Sequence, residues 1–145
     1  MFPKYLRSGD VLLLDGELGA GKTAFTQFLA QAMGITEPVT SPTFAIMNHY
    51  ECGPDSPVNV LAHLDAYRLG DAEAIDQLGL FELLDDGAVA VIEWGSIVAA
   101  AFRHVLNVEF VAIDEHCREI TLSTSSPQWN VRLKQIASKS GLPLC

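Results

Sequence analysis

Cysteine is scarce and unpatterned: Cys52, Cys117 and Cys145 are odd in number, far apart and in no C-x-x-C arrangement. Neither a disulfide framework nor a zinc site is suggested, and the thiols read as reduced and incidental. No apolar stretch approaches the roughly 18 residues of a spanning helix, and Met1-Phe2-Pro3-Lys4 is not a charged region followed by a long apolar one. The expectation is a cytoplasmic protein with no membrane role. Basic residues are few, 9 against 18 acids, for a net charge of −9. That deficit argues against broad affinity for nucleic acid, which scales with the phosphates neutralised by Lys and Arg, although it leaves open RNA held through a partner. Repeats, low-complexity tracts and a linker between two cores are also missing. The 145 residues read as one single-core domain over 1–127 with a C-terminal helix and tail over 128–145.

What is present begins at Gly16-Glu17-Leu18-Gly19-Ala20-Gly21-Lys22-Thr23, which matches G-x-x-x-x-G-K-[ST] at every fixed position. Glycines let the backbone aim successive N–H groups into one concavity that an anionic phosphate satisfies. Lys22 can reach the β and γ oxygens, and the Thr23 hydroxyl is placed to ligate Mg²⁺. The flanks agree. Val11 to Leu14 is an apolar run of buried-strand length, and Ala24, Phe25, Phe28, Leu29, Ala32 and Met33 predict a helix with its apolar stripe on those residues. The helix N-terminus adds its positive dipole end to the phosphate site.

Further along, Gly34 is a stop signal, Ile35 to Pro42 reads as a loop, and Thr43 to Tyr50 as a strand. The turn Gly53-Pro54-Asp55-Ser56-Pro57 returns the chain into Val58 to Asp65, a hairpin. Asp71 is a cap for a short helix through Ile75 and Leu78, with Gly79 leading to a turn around Leu80 to Leu84. Ala88 to Ile92 is nearly continuous apolar, as in a strand covered on both faces. A short helix over 96–102, a hairpin of 105–113 with 118–124, and a final helix follow. In that helix Trp129, Leu133 and Ile136 share helical spacing while Arg132, Lys134 and Lys139 point elsewhere. The order predicts an α/β fold, a P-loop NTPase-like three-layer sandwich whose mixed parallel/antiparallel sheet carries helices on its faces.

Phosphoryl chemistry needs a second acid for Mg²⁺ and a group to orient water. Asp65 and Glu93 each end a predicted central strand, where open α/β sheets bind ligands. Thr40-Ser41-Pro42-Thr43 is either a capped turn or a switch-like loop ordered by γ-phosphate. His63 and Asp65 share a strand face, but with no third ligand evident a hydrogen-bonded histidine is the preferred reading. Trp94 could stack on a base or simply pack, and Arg68 and Arg118 are the arginines best placed for phosphate or acid pairing.

Gly9-Asp10, Gly16 to Thr23, Thr40-Ser41-Pro42-Thr43-Phe44, His63-Leu64-Asp65-Ala66-Tyr67-Arg68 and Ile92-Glu93-Trp94 resemble, in order and spacing, the TsaE family, over about residues 8 to 124. The resemblance implies a Mg-ATP-dependent ATPase of tRNA threonylcarbamoyladenosine synthesis. It would work with a threonylcarbamoyl transferase and its scaffold partner, TsaD- and TsaB-like, and meet tRNA only through them. Carried over, Leu18, Gly19, Ala20, Gly21, Lys22 and Thr23 hold the nucleotide, with Asp65, Trp94 and Arg118 beside them. Mg²⁺ falls to Thr23 and Glu93, and Lys22, Asp65 and the switch-loop Thr43 serve catalysis. Two departures stand out. The segment that usually precedes Gly9-Asp10 and helps cover the nucleotide is not in this sequence, which predicts either poor ATP/GTP discrimination or a longer protein whose translation begins upstream, and Ser96 replaces an acid common after the Glu-Trp pair. Other classes remain: a small-molecule kinase, though no lid is evident, and a GTP-dependent switch, though no Asn-Lys-x-Asp or Thr-Lys-x-Asp segment is found.

Overall fold

The computed structural model describes residues 2–42 and 46–141. Strand β1 (Val11–Gly16) feeds the phosphate loop and helix α1 (Lys22–Ala32), and then come β2 (Met47–Glu51) and β3 (Val60–Asp65). Helices α2 (Ala74–Gln77) and α3 (Leu80–Asp85), strand β4 (Ala88–Glu93), a 3₁₀ helix (Gly95–Ala101), β5 (Val105–Ala112), β6 (Arg118–Ser123) and α4 (Pro127–Ser140) complete the chain.

The six strands line up as β2-β3-β4-β1-β5-β6. The central four run parallel, with β1 between β4 and β5 and β3 beside β4, while the two outer strands pair antiparallel. The mixed sheet and both hairpins therefore agree with the sequence reading.

Strand parity divides the core into two layers. Leu12, Leu14, Leu61, Val89, Val91, Val108 and Phe110 pack with Leu29, Ala30 and Met33 of α1 and Trp129 of α4. Val11, Leu13, Ala62, Leu64, Ala90 and Ile92 pack on the opposite face with Ile75, Leu80, Leu84 and Val98. All of β4 is buried, as a continuous apolar run on a doubly covered strand requires.

Several details differ from expectation. Residues 80–85 are helical rather than a turn, because Gly79 at φ 72° starts a new helix immediately after α2. Asp71 accepts from the Ala74 amide as predicted, at 3.0 Å. Ala24, Phe28 and Ala32 do not face the core, and Phe28 is 71% exposed. The buried side of α1 is Lys22, Thr26, Leu29 and Ala30, with Met33 at its cap. The phase of this helix is set by aiming Lys22 into the phosphate loop, and Thr26 satisfies its buried hydroxyl on the Lys22 carbonyl at 3.1 Å. Arg132 does not point away from the protein but is buried against Asp10. The described part of the second strand begins at Met47, and Thr43 and Phe44 lie outside the described residues.

Candidate functional site

Strand β1 ends at Gly16, where the loop turns back over the C-terminal edge of the parallel strands. Gly16 sits at φ 153°, and a Cβ there would stand 2.7 Å from the Phe110 carbonyl oxygen. Gly19 and Gly21 take φ of 78° and 110°, so glycine suits Gly19 as well as the two fixed motif positions, Gly16 and Gly21. Ala20 is buried beneath the loop, whereas Leu18 is 92% exposed at its tip.

The Lys22 ammonium lies inside this turn, donating to the Gly16 carbonyl at 2.6 Å and the Glu17 carbonyl at 3.0 Å. It also stands 4.1 Å from the centre of the Trp94 ring, a cation–π contact. Burial lowers its pKa below the ordinary 10.5, against the opposing charges of Glu93, Asp15 and Asp65. Its partners here are neutral carbonyls that phosphate oxygens can replace.

Next to it, the Thr23 hydroxyl donates to Glu93 Oε1 at 2.8 Å, joining the first turn of α1 to the end of β4. His63 Nε2 reaches the same oxygen at 2.9 Å from β3. His63 is fully buried and Glu93 nearly so. Burial alone would raise the Glu93 carboxyl, but hydrogen bonds from His63 and Thr23, with the charges of His63 and Lys22, outweigh it and hold the group below its ordinary value. The hydrogen-bonded reading of His63 is the one realised.

Asp65 and Glu93 face each other in the β3–β4 register. Because His63 and Asp65 have the parity of Leu61, they share the α1 side of the sheet. Asp65 accepts from the Tyr67 amide at 3.1 Å, capping the short turn 66–68, and stands 3.7 Å from Arg68 Nε. Trp94 takes φ 57°, the one positive φ outside glycine among the described residues, and its ring lies 5.6 Å from that of Tyr67.

One member of this cluster escaped the sequence reading. Asp15 accepts from the Ser96 amide, at 3.2 and 3.1 Å to its two oxygens, and from the Ser96 hydroxyl at 2.9 Å. These bonds tie the Glu93-Trp94 turn to β1, next to Gly95, whose Cα hydrogen faces Leu13 so closely that a Cβ would lie 2.5 Å from the Leu13 Cβ. The signal was available as an acid directly before Gly16 and a serine after the Glu-Trp pair, but nothing local said that they meet. Arg118 is farther off, at the start of β6, donating to the Asp114 and Cys117 carbonyls at 2.6 and 3.0 Å. It lies on the phosphate-loop edge of the sheet, since it pairs with Ala112 beyond the Gly16–Phe110 rung.

The geometry gathers Lys22, Thr23, Glu93 and Asp65 at one mouth. A hydroxyl and a carboxylate side by side are hard oxygen donors suited to Mg²⁺, which takes one or two protein oxygens and completes its shell with water and phosphate. Among the described residues no group of three or more His, Cys, Asp or Glu could form an all-protein metal cage.

Comparison with known proteins follows the same line. The family model described as TsaE, threonylcarbamoyl adenosine biosynthesis protein, matches residues 1–120. The chain is 34% identical over 134 residues to the tRNA threonylcarbamoyladenosine biosynthesis protein TsaE of Bacillus subtilis, covering 92% of this chain and 81% of that one. It is 36% identical over 121 residues to the protein of the same name from Treponema pallidum, covering 83% and 86%. The crystal structure of Bacillus subtilis YdiB superposes with a TM-score of 0.74 at 29% identity, over 93% of this chain and 81% of that one.

Proposed function

The chain belongs to the TsaE family of threonylcarbamoyladenosine biosynthesis proteins, and on that premise we propose that its P-loop site binds and hydrolyses Mg-ATP in the modification of tRNA. The observation that carries this reading is the meeting of Thr23 and Glu93 at 2.8 Å beside the Lys22 ammonium. Loop amides from Leu18 to Thr23 receive the phosphates, and Lys22 exchanges the Gly16 and Glu17 carbonyls for phosphate oxygens. Thr23 and Glu93 would hold Mg²⁺, which supplies neutralisation of the phosphate charge. Asp65, at the matching strand end, orients the attacking water, and Thr43 belongs to the loop that responds to the γ-phosphate. Trp94 and Arg118 border the nucleotide.

The hydrolysis serves a cytoplasmic complex with a threonylcarbamoyl transferase and its scaffold partner, and tRNA is met through them. The net charge of −9 supports that indirect route, because the chain has little cationic surface of its own for phosphodiester backbone. The test is ATP hydrolysis by the chain alone and with the transferase pair, alongside formation of the modified adenosine on tRNA. Hydrolysis should require Mg²⁺ and rise when the pair is added. Failure to bind ATP in calorimetry, or modification proceeding fully without this chain, would overturn the reading.

A further inference from the structure

His63 is fully buried, its Nε2 is 2.9 Å from Glu93 Oε1, and its Nδ1 has no hydrogen-bond partner among the described residues. Nothing in the proposed hydrolysis uses this ring directly. An ionised carboxylate can only accept, so the ring nitrogen that meets it must carry a proton. The Thr23 hydroxyl donates to the same Oε1. Glu93 Oε2 accepts no hydrogen bond among the described residues.

We propose that His63 is the positioning residue of the cation site: with Thr23 it occupies Oε1 of Glu93 and so leaves Oε2 as the oxygen offered to Mg²⁺ or to its water. The inference rests on the reading of Glu93 as a metal-holding residue. The physical case is geometric. A glutamate at a strand end has three side-chain torsions, and a single donor on Oε1 leaves the carboxylate free to rotate about that contact. Two donors arriving from different elements, β3 and the first turn of α1, define its plane. His63 is well suited because its ring is fully buried on the α1 side of the sheet, and Glu93 is its one hydrogen-bond partner among the described residues. A buried polar nitrogen left without a hydrogen bond costs about 1–3 kcal/mol. A purely packing role would be filled without that cost by an apolar side chain, as at Leu61 and Leu64 on the same strand.

The experiment compares His63→Gln with His63→Asn in the full chain, reading Mn²⁺ affinity in the presence of ADP by electron paramagnetic resonance. The Gln amide nitrogen falls near the position of Nε2, whereas that of Asn falls near Nδ1 and stops short of Glu93. His63→Asn should weaken Mn²⁺ by about tenfold to a hundredfold, as loss of a group supporting a metal ligand does, and His63→Gln should stay within about threefold of the parent. ADP affinity without metal should be the same in all three. Equal Mn²⁺ affinity in the two variants would overturn the proposal. Glu93→Gln is run beside them: if it too keeps parental Mn²⁺ affinity, the metal reading of Glu93 has failed and takes the proposal with it. If it loses Mn²⁺ while both His63 variants keep it, only the role of His63 has failed. A measurement on the unmutated protein guards against variants that do not fold. Nitrogen-15 NMR should find the His63 ring protonated at Nε2, and an Nδ1–H tautomer would overturn the proposal without any substitution.

Discussion

Strand β1 enters the sheet beside one charged network and leaves it beside another, and the two are built to opposite rules. At the entry, Asp10 accepts from both terminal nitrogens of Arg132, at 2.5 and 2.8 Å, and from the Arg7 amide at 2.7 Å. Arg132 also donates to the Tyr5 carbonyl at 2.8 Å, and the Trp129 ring covers its guanidinium at 3.6 Å. Each charge there is neutralised by the other and closed off from water. At the exit, the Lys22 ammonium rests on two neutral carbonyls, and Glu93 keeps one oxygen free of hydrogen bonds among the described residues. The closed network joins α4 to the start of β1. The open one keeps charge available for a ligand, and that difference is what separates a buried ion pair from a binding site.

The comparison breaks most visibly at Lys22. Lys22→Ala removes the one cation of the loop, and Thr23→Ala removes the hydroxyl beside Glu93, so ATP hydrolysis should fall by about 10²–10³ or more in each. The melting temperature should change little, because the hydrogen bonds of Lys22 go to carbonyls of the phosphate loop and not to the core. Rate measurement with circular dichroism on the same samples checks both halves, and unaltered turnover in either variant contradicts the P-loop assignment.

At the other end the signs reverse. Arg132→Met leaves the Asp10 carboxylate buried without its partner and should cost about 3–5 kcal/mol of stability, lowering Tm by about 10 °C. Nucleotide affinity of the molecules that remain folded should stay within about twofold, since the substitution lies at the opposite end of β1 from Gly16. Urea denaturation and calorimetry at low temperature separate these effects. A loss of nucleotide affinity without loss of stability would show that the two networks are coupled.

How far these networks could be read from sequence follows from how local each is. The phosphate loop is eight consecutive residues whose chemistry is carried by backbone and two side chains, so the motif alone supplied it. Asp65 and Glu93 could be set at strand ends from the apolar runs before them, but their facing register depends on β3 and β4 being neighbours, which no short pattern encodes. The pairing of Arg132 with Asp10 spans 122 residues, and a lysine-and-arginine-bearing helix face reads as solvent-facing unless its acid partner is known. The apolar spacing predicts Phe28 in the core. Lys22 at the first position of α1 fixes the rotation of the helix instead, and polar Thr26 takes an interior place. Here ligand chemistry overrides hydrophobic periodicity.

A smaller effect sharpens the division of labour inside the open network. Glu93→Gln keeps its size and loses the charge facing the cation, so its ATPase rate should recover in part as Mg²⁺ is raised, with the apparent Mg²⁺ requirement shifted about tenfold or more. Asp65→Asn should show no such recovery, because the proposed role of Asp65 is toward water and phosphate. Parallel Mg²⁺ titrations of the two variants decide this. Equal recovery in both would remove the distinction between them.

The smallest expected effect is on stability against pH, and it tests whether the open network is held together before any ligand arrives. The folded-state pKa of Glu93 is below its ordinary 4.5, despite burial, because of His63, Thr23 and Lys22. Between that depressed value and about 4.5, the unfolded chain binds more protons than the folded one at this residue, so unfolding free energy rises with pH across the window. The contribution of Glu93 is therefore fully present above about 4.5 and is lost as pH falls through the folded pKa. Glu93→Gln cannot titrate and lacks this contribution. Chemical denaturation of the parent and the variant from pH 6 down to about 3 should show their stability difference constant at the upper end and moving in the variant's favour on acidification. A difference that does not change with pH would mean that the His63 and Thr23 bonds do not favour the ionised carboxylate. The exit of β1 would then be prepared only when nucleotide and cation bind, unlike its entry, which the Asp10–Arg132 pair closes on folding.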